Sequence, residues 1–165
     1  PLKCNTAVVL VLILNLVKEA DKMSVYQHIL VALDGSDQSE KAFHEAVRIA
    51  KEEQATLYLA TIINDAEFTT SPFSFEELYD LEKHKSEEML TGKAKQASEI
   101  GVKTVKKIVE LGSPKRYLAN TISENYAIDL IVLGATGRGA IQRTLIGSTT
   151  DYVVNHALCN VLVVR

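Results

Sequence analysis

Short apolar runs alternate with longer helix-period stretches along most of this chain, and that rhythm limits its fold more than any other feature. Residues 26–33 (YQHILVAL) show little polar alternation, as expected of a strand buried on both faces. Asp34-Gly35-Ser36 breaks the run. Ala42, Phe43, Ala46, Val47, Ile49 and Ala50 then recur at three- and four-residue spacing and predict a helix over 37–53. Its start is Ser36, or an Asp37–Glu40 capping pair. Residues 55–63 read as a second strand and 64–72 as an irregular loop. A long charged helix follows from 73 or 74 to 100, with Leu78, Leu81, Leu90, Ala94 and Ala97 expected on its buried side and Gly101 as its stop. A third strand spans 102–111, where Lys103, Lys106 and Lys107 suit a sheet edge. Ser113 as cap and Pro114 as first helical residue open a helix carrying Leu118, Ile122 and Tyr126. Residues 129–133 (DLIVL), a helix over 148–156 and the run from Val161 to Val164 complete the pattern. Strand–helix alternation repeated in this way requires crossover connections. The fold class expected is therefore α/β, an open five-stranded parallel sheet in the order 3-2-1-4-5 with helices on both faces.

One segment stands outside the rhythm. Residues 7–17 (AVVLVLILNLV) are almost wholly apolar, yet 11 residues are too short to span a bilayer, which takes roughly 20. They lead into Lys18-Glu19-Ala20-Asp21-Lys22 with no small-x-small cleavage site. Met23 stands just before the first strand. Residues 1–22 are thus expected to be an N-terminal extension to a domain spanning 23–165. The alternatives are a membrane-directing leader, or an extra element packed on the domain or on a partner chain.

Charge and cysteine usage narrow the function. A net charge of −3 lacks the basic excess that coats a phosphate backbone, so no nucleic-acid partner is expected, and no membrane either. Cys4 and Cys159 are too few for a disulfide scaffold and suit a reducing cytoplasm, with Cys159 expected to be buried and inert. His28, His44, His84 and His156 show no ligand-like spacing, so no protein-held metal is expected.

In parallel α/β folds ligands bind beyond the carboxyl ends of the strands, where the strand order reverses. Two loops there carry glycine beside hydrogen-bonding residues: Asp34-Gly35-Ser36, and Gly134-Ala135-Thr136-Gly137-Arg138-Gly139. The second runs on to Gly147-Ser148-Thr149 at an expected helix start. Free backbone N–H groups there, with two hydroxyls beside them, make an anion site. The Gly-Lys-Ser/Thr of a Walker A loop is missing, and so is a Gly-x-Gly-x-x-Gly fingerprint after the first strand.

The Gly134–Ser148 spacing, Gly-xx-Gly-x9-Gly-Ser/Thr, resembles the nucleotide-binding pattern of universal stress proteins. The likeness covers residues 26–165, including the HILVALDGS opening and the NVLVVR ending. It implies a Rossmann-like fold of the adenine nucleotide alpha hydrolase type, ATP (or AMP or ADP) as ligand, Mg²⁺ carried by the phosphates, and a homodimer. By position, Ala32, Leu33 and Asp34 would meet the adenosine and Ile62 would flank adenine. Gly134, Thr136 and Gly137 would line the ribose and first phosphates, and Gly147, Ser148 and Thr149 would hold the outer ones. Arg138 and Arg143 would add positive charge.

No Ser–His–Asp or paired-carboxylate set can be assembled, so ATP binding with at most slow hydrolysis is expected. Two readings compete with a nucleotide-dependent stress-response module: an interaction protein that does not use nucleotide, and a genuine ATPase. The short apolar fifth strand, at the sheet edge in the expected order, predicts a symmetric dimer through Val161–Val164.

Overall fold

The computed structural model describes residues 25–68, 74–138 and 146–165. The elements are β1 (His28–Ala32), α1 (Asp37–Glu53), β2 (Thr56–Ile63), a 3-10 turn (Asp65–Phe68), α2 (Phe75–Ile100) and β3 (Thr104–Leu111). A helical segment follows in three pieces, numbered together as α3: Pro114–Arg116, a π-helical turn Tyr117–Thr121, and Ile122–Tyr126. β4 (Leu130–Gly134), α4 (Ser148–His156) and β5 (Asn160–Val164) close the chain. All strand pairs are parallel and the order is β3-β2-β1-β4-β5, as the alternation predicts.

The sheet is covered on both sides because successive strand residues face opposite layers. Ile29 and Val31 of β1, with Leu57 and Leu59 of β2, pack under Phe43 and Val47 of α1 and Leu90 and Ala97 of α2. Leu30, Tyr58, Ile131 and Leu133 face the other way, against Leu118 and Ile122 of α3 and Val153 of α4. Burying each such side chain contributes roughly 1.5–3 kcal/mol. Both ends of α2 are fixed locally. Ser74 and Glu77 form a reciprocal capping box, and Gly101 takes the left-handed conformation (φ 116°) that lets its N–H close on Ala97 and Ser98.

Several local expectations are corrected. Ser36 alone caps α1, accepting the Ser39 N–H (3.2 Å), while Glu40 turns instead to Lys93 of α2. Ser113 occupies the cap position of α3, but its side chain makes no capping bond. The loop after β2 includes a 3-10 turn. On α2, Leu81 is 50% exposed, and the inward stripe runs through Ser86, Leu90 and Ala97. Cys159 is half-buried rather than buried; burial, with a lesser contribution from Asp129, still pushes its thiol up, against a hydrogen bond from Ser123. The reading of residues 1–22 lies outside the described residues.

Candidate functional site

The strand order reverses between β1 and β4. β1 leads to α1 on one face and β4 leads to α4 on the other, so the two loops part there and leave a crevice. It is a cleft of about 600 Å³. Ala32, Leu33, Asp34, Ile62, Gly134, Thr136, Gly137, Arg138, Gly147, Ser148 and Thr149 all line it. Arg143, the remaining predicted residue, lies outside the described residues.

Asp34 ties the two loops together. Its Oδ1 accepts the Ser36 N–H (3.0 Å) and hydroxyl (2.6 Å), and its Oδ2 accepts the Arg138 N–H (3.0 Å). Burial pushes this carboxyl up, but the bonds from Ser36, Arg138 and Ser39 together outweigh burial and hold it below its ordinary value. Gly137 sits directly against this carboxylate: a Cβ there would lie 2.5 Å from Asp34 Oδ2. Gly134 is equally confined, since its Cβ would lie 2.6 Å from the Gln38 carbonyl carbon.

Gly147 is different. A Cβ there would meet nothing closer than 3.5 Å, an ordinary contact. The residue is the N-cap of α4, and no side chain caps this helix. Its own N–H is tied to Ala135 O (2.7 Å), and the Thr150 hydroxyl donates to Gly134 O (2.9 Å), so the helix start is held against the loop after β4. Ser148 and Thr149 then present first-turn N–H groups and hydroxyls at the cleft. That arrangement suits an anion: first-turn donors and the positive end of a helix dipole converge, and no side-chain cap bond occupies them.

The cleft has a further wall that sequence reasoning missed. Thr61, Ile63, Asn64 and Phe68 from β2 and the turn after it line the cleft, with Glu82 and Ser86 from α2 and Pro114 and Leu118 from α3. Glu82 and Ser86 read as part of a charged, water-facing helix. The available signal was that they fall four residues apart and in step with Leu90. Among the described residues no group of three or more His, Cys, Asp or Glu is placed to hold a metal ion.

Fold and crevice define the class: a doubly wound parallel α/β protein with a cleft at its switch point and an uncapped helix start on one wall. The chain belongs to the universal stress protein family, whose model matches residues 25–165. A universal stress protein of Staphylococcus epidermidis is 37% identical over 143 residues, covering 87% of this chain and 86% of the relative. A Staphylococcus aureus relative is 36% identical over the same span. Among solved structures, the universal stress protein UspA from Lactobacillus plantarum is 35% identical with a TM-score of 0.76, covering 85% of this chain and 98% of that one. A universal stress protein solved in complex with cAMP is 26% identical, with a TM-score of 0.61 over 85% of this chain and 97% of that one.

Proposed function

We propose that the cleft binds an adenine nucleotide, ATP before AMP or ADP, and that the chain works as a nucleotide-dependent stress-response module. The observation that carries this is the uncapped start of α4, with Gly147 leaving room in front of it while Ser148 and Thr149 line the cleft. The relative solved with cAMP supports an adenine ligand. A chain of net charge −3 must hold a polyanion with local donors rather than its overall field, and α4 supplies them.

In this reading Ile62 flanks the base, Ala32, Leu33 and Asp34 border the adenosine, Gly134, Thr136 and Gly137 line the sugar and inner phosphates, and Gly147, Ser148 and Thr149 take the outer phosphates, with Arg138 adding charge. Mg²⁺ would come with the phosphates and be held mainly by their oxygens. Asp34 is a poor general base, because its carboxyl is held low and both oxygens already accept hydrogen bonds. Binding with at most slow turnover follows.

Calorimetry with ATP and Mg²⁺ tests the proposal: saturable one-to-one binding is expected, and no heat at millimolar ATP overturns it. The homodimer is proposed on β5, an edge strand of partly exposed valines and leucine next to exposed Val154 and Leu158. Val163→Lys should then give monomers by light scattering. Cytoplasmic location is proposed on the cysteine reading. Among the described residues no helix is long and apolar enough to cross a membrane.

A further inference from the structure

α2 enters at the ligand edge of the sheet and runs down across β2 and β3. Its inward stripe changes character on the way. Leu90 and Ala97 are wholly buried against the sheet, but the two turns before them place Ser86 and Glu82 in the cleft wall. Residues 82 and 86 are one turn apart on one face.

Ser86 is only 6% exposed, lines the cleft, and its hydroxyl makes no hydrogen bond to any described residue. This departs from its buried neighbours in the same wall: Thr61 donates to Leu33 O (2.9 Å) and Ser39 to Ser36 O (2.8 Å). The oxygen itself is open to the cleft: among the described residues the buried side-chain atom without a hydrogen-bond partner is Gln38 Oε1, and Ser86 Oγ is free to meet what enters. One turn above, Glu82 Oε1 pairs with Lys85 (3.0 Å), and Oε2 makes no bond to a described residue. An acceptor and a donor–acceptor therefore stand one helical turn apart in the lining of the cleft, which Ile62, Asn64 and Phe68 also line.

Resting on the nucleotide reading above, we propose that Glu82 and Ser86 are specificity residues that read the edge of the base. The 6-amino group of adenine donates to Glu82, and the ring nitrogen beside it accepts from the Ser86 hydroxyl. A 6-oxo purine sets a carbonyl oxygen against the carboxylate, acceptor against acceptor, and is rejected. The discrimination comes from side chains of α2 and not from the phosphate loop, so the two can be separated by mutation.

The test compares ATP with inosine triphosphate, which carries a 6-oxo group on the same sugar and triphosphate, by calorimetry on the full chain. Ser86→Ala and Glu82→Met are both good helix residues and leave the core untouched. The wild-type chain should prefer ATP by at least about tenfold, the scale of one charged hydrogen bond. Glu82→Met should bring the ratio close to one, weakening ATP and strengthening inosine triphosphate because the repelling carboxylate is gone, while Ser86→Ala should narrow the ratio by weakening ATP. A ratio of one in the wild-type chain, a ratio unmoved in both variants, or equal losses for both nucleotides overturns the inference while leaving nucleotide binding standing. Failure of the wild-type chain to bind either nucleotide sinks the nucleotide reading and this inference with it.

Discussion

The wall of the cleft made by the loops after β1 and β4 and the walls made by α4 and α2 are finished to different degrees. In the first, Asp34 accepts from Ser36 and Arg138 with both oxygens, Gly137 is pressed on that carboxylate, and Gly134 on the Gln38 backbone. In the second, a helix start has no capping side chain, and the Ser86 hydroxyl, open to the cleft, makes no hydrogen bond to a described residue. The contrast separates two reasons for a motif residue. Gly134 and Gly137 are required by contacts inside the protein, with or without a ligand. Gly147, Ser148 and Ser86 show no such contact, and in the proposed reading a ligand gives their environment its further bonds. Substitutions can then be sorted by whether they injure folding, binding or both.

The largest effect is expected at Gly134. A methyl group there meets the Gln38 carbonyl carbon at 2.6 Å and oxygen at 2.7 Å, and this is helix backbone that cannot swing away. Gly134→Ala should destabilise the domain by about 3 kcal/mol, at the upper end of overpacking costs, measured by urea unfolding. A loss below about 1 kcal/mol would show that the loop wall is less rigid than the contrast requires.

Asp34→Asn comes next, and its signature is in pH. The folded-state carboxyl is held below its ordinary value, so its contribution is complete above the unfolded value near 3.9 and is lost as pH falls through the lower folded one. The variant should melt earlier than the wild-type chain at pH 7. As pH falls below about 4 the two melting curves should begin to converge, meeting only once pH has passed below the lowered folded-state value. Parallel acid limbs in the two proteins would mean that Asp34 is not the tie between the loops. Gly137→Ala should cost less, about 1–2 kcal/mol, because the carboxylate can rotate away from the new methyl group at the expense of the Arg138 bond.

These differences explain what the sequence could and could not show. Strand order and the two loops follow from apolar runs punctuated by Asp34-Gly35-Ser36, Gly101, Pro114 and the Gly134 region, because local chemistry sets those boundaries. The π-helical turn at Tyr117–Thr121 has no comparable local mark in the sequence. Leu81 was expected inward by hydrophobicity alone. Leu81 lies nine residues from Leu90, half a turn round the helix, so it points away from the inward stripe into solvent. Glu82 and Ser86 are hidden for a different reason: a polar pair on a charged helix reads as solvent-facing until the cleft is seen. The motif glycines were legible as a pattern, but the division between packing and ligand-facing roles needed the Gln38 and Asp34 contacts.

The smallest effect on stability, and the sharpest test of the contrast, is Gly147→Ser. The backbone at 147 is extended (φ −73°, ψ 153°), the usual conformation of a serine cap, and the nearest atom to an added Cβ is 3.5 Å away. Serine should therefore fit and supply the capping oxygen that α4 lacks, raising stability by a few tenths of a kcal/mol. The same oxygen would occupy the N–H groups proposed for the outer phosphates and bring a lone pair toward a polyanion. ATP affinity should fall by roughly tenfold, the worth of one charge-assisted hydrogen bond, while AMP, with no outer phosphates, is affected less. A variant that is slightly more stable yet binds ATP poorly would show that the open helix start is kept for the ligand. If the variant gains stability and binds ATP as before, the phosphates lie elsewhere, and α4 is uncapped for a reason unconnected with the nucleotide.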